Sequence, residues 1–270
     1  MYLQFLISFV ATVILIFIGY KLSIVIKEHK VKIILVVFFF ILCLPAFSFL
    51  VMELPIFIKP IWFVEFRSIS GIELLTSFWG LFIGFVTVKS DTKKVRWKMF
   101  NKYFYIIAVL LMVPPYIHCI GIPINYENLK SQFHEDVCLQ SEEFTCAPAS
   151  LATVFKYFDK EKTEAQIAKD IYTSRSGTSV YEIIRYIKKN EMKVECFYEK
   201  DLSNISVPSI LDVNVYNIGH VIVYLGSEDG RYIIGDPLEG RIVLSKEEFY
   251  NRYEFNGFVM SIKTLGNFKK

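Results

Sequence analysis

Histidine and cysteine are scarce in this chain: 270 residues contain four histidines and five cysteines. No second ligand pair accompanies His134 and Cys138, so the sequence does not describe a metal centre. No G-x-x-x-x-G-K-[ST] loop occurs, which excludes a P-loop ATPase, and no Gly-Gly dipeptide, internal repeat or low-complexity tract is found. Basic residues form no stripe of the kind that binds nucleic acid. Apolar residues are abundant, at 53% with a mean hydropathy of +0.40. That is too apolar for an ordinary soluble domain, while 21% charged residues are too many for a wholly membrane-embedded chain.

The chain therefore divides. Residues 1–121 carry 12 Lys/Arg against 5 Asp/Glu, whereas residues 122–270 carry 18 against 22, and the apolar runs end at the same place. The expected organisation is a transmembrane region over 1–121, a linker over 122–136, a folded domain over 137–264 and a tail over 265–270. Four runs, at about 3–26, 33–52, 71–88 and 103–120, approach the roughly 20 residues needed to cross a bilayer. No basic residue precedes the first run and no small-residue cleavage pattern follows it, so it reads as a retained span. The loops after the first and third runs hold ten Lys/Arg, from Lys21 to Lys32 and from Lys89 to Lys102, against Lys59, Arg67 and Lys130 on the other side. Basic short loops stay cytoplasmic, which places both termini and the C-terminal domain outside the cytoplasm. Glu53, Glu65 and Glu73 fall at the expected membrane boundary and read as water-facing charges; Cys43, His118 and Cys119 read as packing residues of the spans.

The C-terminal half begins helical and ends as strands. Leu151, Val154, Phe155 and Phe158 recur at helical spacing, with Thr145 as a possible cap and Pro148 in the first turn. Two further helices are expected from the capping-box patterns T-E-A-Q at 163 and S-V-Y-E at 179, and a short one from S-K-E-E at 245. Beyond Lys193 the runs KVECFY, PSILDVN, HVIVYLG, RYIIGDP, RIVLS and GFVMSIK predict strands, with SEDGR as a hairpin connection. Helices followed by an antiparallel sheet define an α+β domain.

Cys146 then falls at a helix start, where unpaired N–H groups favour a thiolate nucleophile. A thiol needs a base, and His220 is the one histidine placed inside the folded domain. Asp236 ends the next strand and can orient the imidazole. Gln140, six residues before Cys146, can donate its amide to an oxyanion. Cys138 has no helix-start position and reads as structural, with a disulfide to Cys196 as the alternative on an oxidising side of the membrane.

The ordered set resembles the peptidase C39 family: Gln140-x5-Cys146 with a small-residue helix start, G-T-S at 177–179, P-x-I-L at 208–211, G-H-V-I-V-Y at 219–224, G-D-P at 235–237 and L-S-x-E-E-F at 244–249. The resemblance spans about residues 137–262 and implies a papain-like cysteine peptidase, a type best known in leader-cleaving domains of bacteriocin exporters that cut after a double glycine. Thr145-Cys146-Ala147 departs from the Asp-Cys-Gly common in that family. Without a P-loop the chain is not itself an ABC exporter, and its membrane half does not resemble the six-span exporter core.

The expected fold is thus an N-terminal α-helical membrane region of about four spans plus a C-terminal α+β papain-like cysteine peptidase domain. The expected function is a membrane-anchored cysteine peptidase using Cys146, His220, Asp236 and Gln140. Its expected partners are a peptide or protein substrate, the lipid bilayer and a separate exporter, with no cofactor, metal or nucleic acid. A non-catalytic peptide-binding module assisting an exporter, or a related acyl transferase or amidase, is the alternative.

Overall fold

The computed structural model describes residues 2–52, 59–87, 95–116 and 123–264. Its N-terminal helices are α1 (Tyr2–Val25), α2 (His29–Val51), α3 (Ile61–Arg67), α4 (Phe78–Val86) and α5 (Val95–Met112). Two compact units form: Met1–Lys59 with Ser70–Ile120, and Pro60–Ile69 with Gly121–Lys270. Short α3 is thus a member of the second unit.

In the first unit α1 packs along α4. A side chain cannot fit between them: a Cβ on Gly80 or Gly84 would strike the carbonyl oxygens of Thr12 and Ile16, and one on Gly19 that of Leu81. Small residues that let backbones touch are the usual means of pairing helices in lipid, where no hydrophobic force separates helix from solvent. Ser77 Oγ donates to the Ser8 carbonyl at 3.1 Å, and Ser8 Oγ meets the Tyr116 hydroxyl at 2.5 Å.

The four expected spans are not all present as such. Among the described residues, helices α1 and α2 are long and apolar enough to cross a membrane, and a third span is found there only if α3 and residues 72–86 are counted as one broken span. The third expected run splits into a 3-10 turn (Ile72–Ser77) and nine-residue α4, which at 1.5 Å per residue covers about 14 Å, less than half of a bilayer core. The local causes are Gly71 in the left-handed region (φ 79°) and Thr76, whose hydroxyl bonds the Glu73 carbonyl at 2.6 Å. The fourth run leaves the α-helix at Met112 and tightens into a 3-10 turn at Pro114–Tyr116, as two prolines without N–H groups require. Glu73 does not face water: it is fully buried, whereas Glu65 is exposed. Glu53, His118, Cys119 and the loop residues Lys89, Lys93 and Lys94 lie outside the described residues.

The second unit is built on a six-stranded antiparallel sheet of order β3-β8-β4-β5-β6-β7. In chain order a small hairpin comes first, β1 (Gln132–His134) and β2 (Val137–Leu139), and then three helices: α6 (Cys146–Tyr157), α7 (Glu164–Asp170) and α8 (Val180–Lys189). The sheet strands are β3 (Met192–Tyr198), β4 (Ser209–Val215), β5 (Ile218–Glu228), β6 (Arg231–Asp236), β7 (Gly240–Leu244) and β8 (Glu254–Thr264), with α9 (Lys246–Arg252) between the last two. Each predicted strand is present, and the β5–β6 turn uses Asp229 and Gly230 at positive φ, as a tight hairpin demands. The β1–β2 hairpin lies partly where a linker was expected.

Capping follows the sequence in two cases of three. Thr163 with Gln166 and Ser245 with Glu248 form reciprocal capping boxes. Ser179 makes no side-chain cap, because Glu182, its expected partner, instead holds Arg185 at 2.6 Å. The apolar face of β4, β5, β6 and β8 closes over Leu211, Ile222, Ile234 and Val259 and is sealed by Phe249 and Tyr253 at the end of α9.

Candidate active site

Three elements converge at one end of the sheet. Helix α6 starts at Cys146 and lies against β5 and β2. Thr145 does not cap it; its hydroxyl instead closes the preceding turn, accepting from the Glu142 N–H at 3.0 Å and donating to the Glu142 carbonyl at 2.9 Å. Two small polar residues fix the helix in register. Ser150, one turn after Cys146, donates to the Val221 carbonyl at 2.9 Å, next to His220. Thr153 accepts from the Cys138 N–H at 2.9 Å, two residues before Gln140. Both contacts escaped sequence reading, since a serine and a threonine on a helix carry no signal of what they face.

His220 and Asp236 meet through the register of β5 and β6. The last recorded pair is Val223 opposite Gly235, so Asp236 falls opposite Ile222 and diagonal to His220 on the same face. A bulge between Tyr224 and Gly226 makes this possible, since without the extra residue the alternation would send His220 to the other face. His220 Nε2 lies 2.8 Å from Asp236 Oδ1. Asp236 also accepts from the Leu238 N–H at 2.9 Å and, through Oδ2, from the Tyr253 hydroxyl at 2.5 Å. With only acceptor atoms on the ionised carboxylate, Nε2 must carry a proton, which leaves Nδ1 for Cys146.

The electrostatics agree with the geometry. His220 and Asp236 are 6% and 1% exposed, and burial by itself disfavours both charges. For His220, desolvation is outweighed by hydrogen bonds and charge interactions with Asp236 and Cys146, which push the imidazole up to about 9. Burial of Asp236 is outweighed by its bonds from His220, Tyr253 and Leu238, which hold it below the usual carboxylate range.

Gln140 reaches the same corner. Its N–H donates to the Pro237 carbonyl at 2.8 Å, tying it to the residue after Asp236. Its side-chain Nε2 donates to the Glu142 carbonyl at 2.9 Å, and Oε1 is buried without a partner. One N–H of the amide is thus engaged and a second is left. The domain's two other cysteines lie away from this corner. Cys138 is fully buried on β2, where burial and then the Glu164 charge push its thiol up to about 12; burial likewise pushes Cys196 up to about 12, and the two are not bonded to each other. Tyr253 is the neighbour of Asp236 that sequence reading missed: it sits at the C-terminal cap of α9, 17 residues from Asp236.

A thiol at a helix start, an imidazole beside it and a buried carboxylate behind, on an antiparallel sheet flanked by helices, define a C39 peptidase-like α+β domain. Residues 134–264 match the model of the Peptidase C39 family. A protein of Methanothermobacter thermautotrophicus with no assigned function is 27% identical over 126 residues, covering 47% of this chain and 88% of its own. The "Probable functional amyloid protease FapD" of Pseudomonas fluorescens is 22% identical over 146 residues, covering 50% and 64%. Among solved structures, a double glycine motif protease from an AMS/PCAT transporter, in complex with a leader peptide, matches at 25% identity and TM-score 0.43 over 50% of this chain and 94% of its own. The peptidase domain of Streptococcus ComA matches at 24% identity and TM-score 0.43, over 47% and 96%.

Proposed function

We propose that the protein is a membrane-anchored cysteine peptidase whose C-terminal domain cleaves a peptide or an extended protein segment. Cys146 attacks the scissile carbonyl, His220 takes and returns the proton, Asp236 orients the ring, and Gln140 with the Cys146 N–H stabilises the oxyanion. The observation that carries this reading is the buried His220–Asp236 pair at 2.8 Å, with Cys146 as the other neighbour of the imidazole. The anchor is the membrane half, of which α1 and α2 have the length and apolarity to cross a bilayer. A separate exporter is a natural partner for such a peptidase, because the chain holds no ATPase loop of its own.

Cys146→Ala is expected to abolish cleavage of a peptide library by the purified full chain while leaving its thermal unfolding unchanged. Cleavage that survives in this variant would remove Cys146 from the mechanism. Labelling of Cys146 by a thiol-directed probe at neutral pH that is indifferent to His220→Ala would favour a peptide-binding module over a peptidase.

A further inference from the structure

Segment Pro60–Ile69 comes between helices of the membrane half in sequence, yet it is a member of the peptidase unit. Its helix α3 packs on α8 and β3. Phe63 and Val64 are buried, and Phe63 meets the Tyr181 ring edge-on at 6.1 Å. The Arg67 guanidinium lies 5.0 Å over the same ring, a cation-π contact.

Arg185 of α8 completes the attachment. Its Nη2 donates to the carbonyls of Arg67 at 2.6 Å and Ile69 at 2.9 Å, and its Nε to that of Ser68 at 3.3 Å, while Nη1 is held by Glu182. One guanidinium thus gathers three consecutive carbonyls at the end of α3, where unsatisfied oxygens carry the negative end of the helix dipole. Arginine suits this task because its donors stand in a fixed plane. So many directed bonds to one backbone stretch make a specific seat.

We propose that Pro60–Ile69 is a built-in docking strap, and that it fixes the peptidase domain on the outer face of the membrane. The second part rests on the membrane reading given under Proposed function. A segment seated on the domain lies on the same side of the bilayer as the domain. The turn between α1 and α2 is flanked by Lys21, Lys27, Lys30 and Lys32, which holds it in the cytoplasm, so the chain leaves α2 on the outer side and the strap begins there. The residues between the strap and Gly121 then cross an even number of times or not at all. The side of the peptidase domain no longer depends on how many of the later apolar runs span.

Two measurements on the full chain test this. In detergent, trypsin is expected to cut after exposed Arg175 and to spare Arg67; in Arg185→Ala, cutting after Arg67 rises roughly tenfold or more, since proteolysis follows the population of the undocked segment, with Arg175 unchanged. Arg185→Lys falls between. Equal cutting at both sites in the parent chain, or no change at Arg67 in Arg185→Ala, overturns the strap. In intact cells, with the native cysteines replaced by serine, Trp62→Cys and Asp229→Cys are each expected to react with a membrane-impermeant maleimide. Reaction of one without the other overturns the shared side, and reaction of both only after lysis overturns the outward assignment. If carbonate strips the chain from membranes, the anchoring reading fails, and the tryptic contrast still decides the strap.

Discussion

Asp236 holds three donors at once, and the shortest of these bonds is from the Tyr253 hydroxyl, at 2.5 Å on Oδ2. A hydrogen bond to a buried charge contributes about 1.5–3 kcal/mol, and here it also fixes the carboxylate plane that orients His220. Tyr253→Phe keeps the ring against Phe249 and deletes this donor, together with the hydroxyl's bond from exposed Arg252. The expected result is a kcat lowered about tenfold with KM little changed, and an acid limb of the rate profile moved to higher pH as Asp236 becomes easier to protonate; pH-rate profiles of both forms check it. A purely structural role for the hydroxyl would lower stability and leave the acid limb where it was. Cys138 and Cys196 lie apart from this site: burial keeps their thiols protonated up to about 12, so neither supplies a thiolate at neutral pH.

Among the elements, α1 and α4 touch backbone to backbone at Gly80 and Gly84. Overpacking at such a contact costs about 1–3 kcal/mol or more, and the carbonyl of Ile16 has no room to yield. Gly84→Leu is therefore expected to broaden or lower the thermal transition of the detergent-solubilised chain and to leave peptidase activity per folded molecule unchanged, as scanning fluorimetry and active-site titration would show. The strands were legible in the sequence because Val, Ile and Tyr alternate between turn residues, a period that one face of a sheet imposes. The lengths of the later apolar helices were not, because hydropathy sums over a window and is blind to a left-handed glycine at 71 or a hydroxyl that bonds its own backbone at 76. The capping pattern at Ser179 misled for a related reason: Glu182 had a stronger partner in Arg185, brought by the fold to the strap. That Cys146 starts a helix and Asp236 ends a strand was readable in the sequence, whereas the contacts of Ser150, Thr153 and Tyr253 are to partners distant in sequence.

For the molecule as a whole, the His220–Asp236 pair links stability to pH. The folded imidazole titrates near 9, above its ordinary 6.5, so its contribution is fully present below about 6.5 and fades as pH rises through about 9. Asp236 is held below its ordinary value, so its contribution is present above the carboxylate range and fades in acid. Thermal melts of the full chain from pH 4 to 10 are expected to show a plateau between the carboxylate range and about 6.5 and a decline from there to about 9, and His220→Gln should flatten that decline. The make-up of the second unit bears on the chain's modularity. Because that unit takes Pro60–Ile69 from among the N-terminal apolar helices, sequence adjacency and spatial membership disagree, and the two halves are not interchangeable cassettes. A graft that moved residues 121–270 away from residues 1–120 would leave behind the piece that covers Tyr181 and bonds Arg185, so the domain and the helices before it are constrained to change together.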